Sequence, residues 1–376
     1  MTQRRILFWC QHLLGSGHLR RTEAVLGGFG GAGWVTCLVM GGPVSKLRSS
    51  PDEILQLPPV HVEPDGGWRL LTSDGRDPTA ALWQNRTNLL LKTMNRFRPH
   101  ALVVEMFPFG RRAFAPELTA LLDHARDGPN RPWVACSVRD ILVAKAKPGR
   151  SEEIVQRLRR WFDQVLVHGD PRWIKLDATF DQVPMIADMV RYTGYVSSQT
   201  APQKSHKSDH ILVSAGGGAV GGRLVAAATE AAKSAEGARF LWHVVAGNRA
   251  TDWHAADKPD NLLVERERSD FIDLLAKAGV SVSQAGYNTV VETMIAGTPM
   301  VLVPYADAGE NEQTRRAGML AERGVAQVIQ ERDLSVETLL PAIDRARKRI
   351  GQVPSIDTDG VASSVRAVSD GVERRP

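Results

Sequence analysis

The chain has 376 residues, enough for two domains at roughly 100–200 residues each. With 43% hydrophobic and 24% charged residues it has the balance of a folded globular protein, which excludes a disordered or fibrous chain. The formal net charge of +5 suits an anionic ligand or an anionic lipid surface. However, its arginines are scattered and not interleaved with aromatics, which excludes a nucleic-acid tract.

"RILFWC" (5–10) reads as the first strand; its apolar run is broken by Gln11 and His12 with no small-residue cleavage site after it, so a signal peptide is not expected. A helix "LRRTEAVLGGF" and a strand "WVTCLVM" follow. The stretch 43–78 is rich in Pro, Gly and Asp, with "VHVEP" its one strand-like piece. Apolar residues at three- and four-residue spacing predict a helix over 79–97. Then come strand "HALVVEM", helix "APELTALLDHARD", strand "PWVACSV", helix "SEEIVQRLRRWF" with Ser151 as its N-cap, and strand "QVLVHG" to close the set. Continuous apolar strands alternating with helices point to an α/β domain with a parallel sheet covered on both faces.

The polar stretch 197–209 reads as a linker, after which the pattern restarts with "HILVSAGGG" and runs through "VSVSQAG", "TVVETMIAG", "PMVLVPY" and "AQVIQ". The expected organisation is two Rossmann-like, doubly wound domains, 1–196 and 210–350, with a C-terminal helical segment, 351–376, packing back on the first. Cys10, Cys37 and Cys136 lie singly in apolar stretches, as buried thiols of a cytoplasmic protein would. No apolar run is long enough to cross a bilayer. The one Asp-x-Asp, Asp357 to Asp359, sits in the tail and reads as a polar turn, so no metal site is expected.

"LGSGHLRR" (14–21) follows the first strand. It starts as a GxGxxG fingerprint would, but Arg20 takes the place of the third glycine and no acidic residue ends the second strand, which excludes a dinucleotide site. What remains is His18 at a helix start on the carboxyl edge of the sheet, where the helix dipole disfavours its protonation. It is either a base or a turn histidine capping the helix. Glu105 ends the strand "ALVVEM" at the same edge, and Asp140 lies there too; either can orient His18 or touch a ligand. In the second half, Gly216, Gly217 and Gly218 follow a strand and precede a helix, a phosphate cradle without the GK[ST] of a triphosphate loop. Gly286 and Asn288 are expected to form a turn before a helix that ends at Gly297. Glu292 in that helix can accept two hydrogen bonds from a ribose diol, or be a solvated glutamate. The polar run Glu310, Asn311, Glu312 and Gln313 suits sugar hydroxyls, or a charged helix start. Lys145, Lys147, Arg150, Arg157, Arg159, Arg160 and Trp161 form a basic and aromatic region that can dock on anionic lipid, or be a solvated helix face.

Taken together, "GSGHLRR", "SAGGG", "SVSQAGYNTVVETMIAGTPMVLVPY" and "ENEQTRRAGMLAERGVA" resemble the GT-B glycosyltransferases, in the family 28 branch of the peptidoglycan N-acetylglucosaminyltransferases. "CSVRDIL", "LVHGDPR" and "RYTGYV" resemble a subgroup of predicted glycosyltransferases within it. The resemblance implies two domains facing a central cleft, the first for an unidentified acceptor and the second for a nucleoside diphosphate sugar, commonly UDP-linked, as co-substrate with no other cofactor. It implies His18 as base; Glu105, from its place at the same sheet edge, is expected as the catalytic group beside it. It places Gly17, Ser214, Gly216, Gly217, Gly218, Arg249, Gly286, Asn288, Thr289, Glu292, Glu310, Asn311, Glu312 and Gln313 around the donor. Where the peptidoglycan enzymes have two glutamines against the donor sugar, this chain has Glu312 and Gln313. The implied reaction is metal-independent inverting sugar transfer, by a cytoplasmic enzyme that can touch an anionic membrane. The histidine loop also resembles a nucleotide-sugar hydrolase that activates water, which is the alternative reaction.

Overall fold

The computed structural model describes residues 3–13, 17–62, 69–142, 148–197, 203, 205, 207–215, 221–247, 259–266, 268–305 and 312–375. They fall into two compact units, one of Met1–Ser198 with Asp357–Pro376 and one of Gln199–Ile356.

In the first unit the order is β1 (Arg5–Cys10), α1 (Gly17–Gly31), β2 (Val35–Met40), β3 (Glu53–Gln56), β4 (Val60–Val62), β5 (Leu70–Thr72), α2 (Ala80–Phe97), β6 (Ala101–Glu105), α3 (Ala115–Asp127), β7 (Trp133–Arg139), α4 (Arg150–Trp161), β8 (Gln164–His168) and β9 (Val190–Tyr192). Seven strands form a parallel sheet in the order β3-β2-β1-β6-β7-β8-β9, and β4 and β5 pair antiparallel beside it. Side chains alternate across the sheet with the two-residue strand period. Leu7, Trp9, Val39, Leu102 and Val104 join the core with α2, α3 and α4, whereas Ile6, Phe8, Leu38, Ala101 and Val103 join the core with α1. Both faces are covered, as the continuous apolar strands require.

The second unit runs β10 (Lys207–Ser214), α5 (Gly222–Lys233), β11 (Leu241–Val245), β12 (Leu262–Glu265), α6 (Phe271–Lys277), β13 (Ala278–Ser283), α7 (Tyr287–Ala296), β14 (Met300–Leu302), α8 (Glu312–Glu322), β15 (Ala326–Val328) and α9 (Val336–Arg347). Its six strands are parallel in the order β12-β11-β10-β13-β14-β15. The chain then returns to the first unit through α10 (Gly360–Glu373), which packs on α1 so closely that a Cβ on Gly28 would meet Val361 at 2.3 Å.

Each sheet has one place where successive connections leave in opposite directions. In the first unit it lies between β1 and β6, and in the second between β10 and β13. Ligands of open parallel sheets bind outside the carboxyl ends of strands at such points.

Several local expectations are corrected. The stretch 43–78 holds three strands, not one; "EILQ" became β3 because it extends the sheet edge beside β2. β9 adds a seventh strand after "QVLVHG". β10 begins at Lys207, within the stretch read as a linker. Ser151 is inside α4; Gly149, at φ 74°, is the N-cap, so the helix starts two residues earlier. Asn288 is not in a turn but in the first turn of α7, with Gly286 as N-cap. On α4, Trp161 is buried and donates to Asp123 at 2.8 Å, while Arg157, Arg159 and Arg160 pair with Glu153, Asp188 and Asp123. The aromatic of the basic region is therefore turned inward and these cations are balanced; Lys145 and Lys147 lie outside the described residues. Asp357 and Asp359 do form a polar turn. Asp357 bonds Asp170 and Tyr195 through its backbone, and its carboxylate accepts from the Asp359 amide. No described helix is long and apolar enough to cross a membrane.

One fully buried cation organises the carboxyl edge of β1 and β2. Arg86 of α2 makes a two-pronged ion pair with Glu117 of α3 at 2.6 and 2.8 Å, and both side chains are 0% exposed. It also donates to Gln11, Gly41 and Pro58 and lies over the rings of Trp83 and Phe114. A Cβ on Gly41 would meet Gln11 Oε1 at 2.0 Å and Arg86 Nη2 at 2.6 Å, so a side chain there would push both out of their bonds. Removing one member of a buried pair strands the other, at a cost of about 3–5 kcal/mol, whereas replacing both by apolar groups costs less. Arg86→Met is therefore expected to destabilise the first unit by about 3–5 kcal/mol, and Arg86→Met with Glu117→Leu by less, as read from urea denaturation.

Candidate functional site

His18 is the second residue of α1, on the carboxyl side of β1, and Glu105 is the last residue of β6. The switch point of the first sheet thus brings together two residues 87 apart in sequence. His18 Nδ1 lies 2.7 Å from Glu105 Oε1. Arg21, one helical turn on from His18, donates to the same carboxylate oxygen and is also buried. On the other side of the ring, Arg139 Nη2 at the end of β7 is 3.2 Å from His18 Nε2. A guanidinium only donates, so Nε2 is the acceptor and Nδ1 carries the proton given to Glu105. The neighbours fix the tautomer.

Arg111 completes the cluster. It follows β6 in a loop where both Met106 and Arg111 have left-handed backbone, at φ 68° and 58°. For non-glycine residues that conformation stores strain, which surrounding contacts must hold. The Arg111 Nε bond to the Gln11 carbonyl, at 2.7 Å, is such a contact.

The electrostatics follow from burial and these cations. Burial pushes the His18 proton affinity down to about 3; Glu105 opposes this, and Arg139 and Arg111 add to it. The His18 side chain remains 15% exposed and Glu105 only 1%. Burial alone would raise the Glu105 carboxyl, but His18, Arg21 and Arg111 outweigh it and hold the group below the usual carboxylate range. The pair is a neutral imidazole oriented by an ionised carboxylate. Asp140 has no such place. Its carboxylate accepts from the Ile141 amide at 2.8 Å and lies 3.5 Å from the Tyr195 hydroxyl. Beside it His168 is clamped between Ser137 and Thr193, each at 2.9 Å.

In the second unit Ser214, at the end of β10, stands in register with Ser283, at the end of β13. α7 leaves this edge with no side-chain cap at Gly286. Seven of its residues are buried, and the three that are half-buried, Asn288, Thr289 and Glu292, share one face. That polar face beside the switch point is what a ribose ligand needs. Glu312, the first residue of α8, is buried in an ion pair with Arg316 at 2.8 Å. Arg316 also donates to the Ala285 carbonyl, just before α7. Gln313 accepts from the Tyr305 amide at 3.1 Å. Gly216, Gly217, Gly218, Arg249, Glu310 and Asn311 lie outside the described residues.

Sequence reading singled out His18 and Glu105, which the fold brings together, and the residues of the α7 face, but not Arg21, Arg111, Arg139 or Arg316, which the fold places beside them. Arg21 and Arg316 had a readable signal, since they lie three and four residues from His18 and Glu312 on helices. Arg111 and Arg139 had none, because their approach depends on strand order.

Residues 213–362 match the Glycosyltransferase family 28 C-terminal domain. Curated relatives include two proteins named UDP-N-acetylglucosamine--N-acetylmuramyl-(pentapeptide) pyrophosphoryl-undecaprenol N-acetylglucosamine transferase. The one from Thiobacillus denitrificans is 41% identical over 91 residues, 22% of this chain and 25% of its own length. The one from Nitratidesulfovibrio vulgaris is 31% identical over 189 residues, 46% of this chain and 50% of its own. The chain thus spans from a quarter to half the length of these two relatives. Among solved structures, the calicheamicin glycosyltransferase superposes with a TM-score of 0.66 at 16% identity, covering 100% of this chain and 99% of that one. MurG of Acinetobacter baumannii superposes with a TM-score of 0.59 at 18% identity, covering 98% and 99%. The chain has the two-domain GT-B fold, and its second unit resembles the C-terminal domain of glycosyltransferase family 28.

Proposed function

We propose that the chain is a metal-independent, inverting glycosyltransferase that moves a sugar from a nucleoside diphosphate sugar to an acceptor hydroxyl. The observation that carries this reading is the His18–Glu105 pair: a neutral imidazole, fixed in one tautomer, at the switch point of the first sheet. The acceptor oxygen attacks the anomeric carbon as the bond to the diphosphate breaks. The hydroxyl proton passes to His18 Nε2, the diphosphate leaves with the bonding electrons, and the configuration inverts. Glu105 stabilises the imidazolium that forms, as a carboxylate behind a histidine base does.

The second unit supplies the donor site. Glu292 accepts the ribose hydroxyls, with Asn288 and Thr289 on the same face. The uncapped start of α7 offers backbone N–H groups to the departing diphosphate. A UDP-linked donor is supported by the curated relatives, whose names carry UDP-N-acetylglucosamine. The three buried free thiols support a cytoplasmic setting.

Purified protein given a panel of UDP-sugars without acceptor tests the reading. Slow release supports transfer, and rapid multiple turnover makes water the acceptor and the protein a hydrolase. His18→Ala is expected to lower turnover by about 10²–10⁴-fold with UDP affinity unchanged by calorimetry. Glu292→Gln is expected to weaken UDP binding by roughly tenfold or more, the loss of hydrogen bonds to a charged group, with the fold intact by circular dichroism. Because the proton affinity of His18 is lowered, its neutral form persists on the acid side of the ordinary histidine range. kcat/KM is therefore expected to hold between about pH 8 and pH 5, with no acid limb near 6.5.

A further inference from the structure

The loop between β6 and α3 is anchored along its length. Phe107, Phe109 and Phe114 are all buried, and Phe109 meets Phe180 edge-on at 5.1 Å. The Met106 amide donates to the Ser137 carbonyl, the Gly110 amide to Met106 and the Phe114 amide to Arg111. Between these anchors Met106 and Arg111 hold left-handed backbone, at φ 68° and 58°. Strained non-glycine residues of this kind collect at ligand clamps, where the surroundings hold them against their preference. Here the anchored, strained loop fixes the point from which the Arg111 side chain leaves.

That side chain is tied by one nitrogen. Arg111 Nε donates to the Gln11 carbonyl at 2.7 Å, and Nη1 and Nη2 have no acceptor among the described residues. Arg86, by contrast, gives all three of its nitrogens to Glu117, Gln11, Gly41 and Pro58. Arg111 is half-buried, so the end of its guanidinium is within reach of a ligand. Two N–H groups at the end of such a fork match two oxygens of a carboxylate or a phosphate.

The fork lies beside the proposed base. The charge of Arg111 is felt at His18 and Glu105, and at Cys10 and His12 on and just after β1. A base sits about 2.6–3.2 Å from the hydroxyl it deprotonates, so the molecule that meets this edge is the one carrying that hydroxyl.

We propose that Arg111 is a specificity-determining residue for the second substrate: the end of its guanidinium binds an oxyanion, a carboxylate or a phosphate, carried on the acceptor near the reacting hydroxyl. This rests on His18 being the base of the proposed transfer. An acceptor with the anion gains a charge-assisted pair of hydrogen bonds, whereas a neutral one leaves the fork to water. Selection is then by charge as well as by hydroxyl.

The test reads Arg111 itself, through the ¹H–¹⁵N NMR signal of its Nε–H in the full chain, assigned from the backbone resonances of the residue. Sodium acetate and sodium phosphate are titrated against sodium chloride at equal ionic strength. A saturable shift with acetate or phosphate, and not with chloride, is expected; the anion that acts at the lower concentration identifies the group. A signal moved by neither, or equally by chloride, overturns the proposal. UDP is the third probe. If UDP moves the signal and Glu292→Gln lessens that shift, the anion is the donor's diphosphate and the assignment to the acceptor is overturned. Arg111→Gln and Arg111→Lys are each expected to weaken anion binding by roughly tenfold or more, read at the Gly110 amide. Lysine keeps the charge and loses the fork, so full affinity in Arg111→Lys overturns two-pronged binding. Should either variant unfold, the wild-type titrations decide alone. If an anion binds at Arg111 while no UDP-sugar is turned over, the transfer reading fails and the anion site stands. Turnover that depends on His18, with an Arg111 signal that no anion moves, reverses that outcome.

Discussion

The first unit is arranged around one buried carboxylate. Glu105 is 1% exposed, and a charge in that position is tolerated only when cations and hydrogen bonds meet it. Its partners come from α1, through His18 and Arg21, and from the loop after β6, through Arg111. Each must be held in place, so the carboxylate fixes the rotation of α1 and the course of a loop that carries two left-handed non-glycine residues. The same requirement that keeps this edge of the sheet stable also produces an oriented, neutral imidazole. Stability and chemistry have one cause here.

The sheet topology makes that possible. β1 lies between β2 and β6, so α1 leaves from one side and the later crossovers from the other, which opens space at their carboxyl ends. The second unit repeats the arrangement with β10 between β11 and β13, and there the edge carries Ser214, Ser283 and the polar face of α7. The two halves differ in chemistry. Ionised side chains crowd the first switch point, whereas hydroxyls, an amide and a half-buried glutamate line the second.

Much of this was legible in the sequence, for physical reasons. Strands buried on both faces read as continuous apolar runs, so β1, β2, β6, β7, β8, β10 and β13 stood out, and helices such as α2 and α3 carried their period plainly. β3 and β9 did not, because they are short edge strands with mixed exposure whose only reason to be strands is a neighbour to pair with. Within the site, His18 was legible from its loop and Glu105 from its position at a strand end. The choice of Glu105 over Asp140 was not, since both end neighbouring strands. What separates them is strand order and local bonding: β6 abuts β1, while Asp140 turns back onto its own loop and Tyr195.

The same logic bears on the one place where the chain departs from the pattern it resembles. An acid at position 312, where the resemblance implies an amide, would be expected to repel the diphosphate of a nucleotide sugar nearby. Arg316 removes that objection. It lies one helical turn on, is itself buried, and pairs with Glu312 at 2.8 Å, so the acid is held in a neutral pair. The pair also acts at a distance from its own helix, because the second guanidinium nitrogen of Arg316 bonds the Ala285 carbonyl and its plane lies over the Tyr287 ring. Those contacts hold the turn from β13 into α7, and with it the angle at which Asn288, Thr289 and Glu292 are presented. An ion pair that stands where the resemblance implies an amide thus ties the start of α8 to the turn into α7, and a change at Glu312 would be felt in the placement of Glu292.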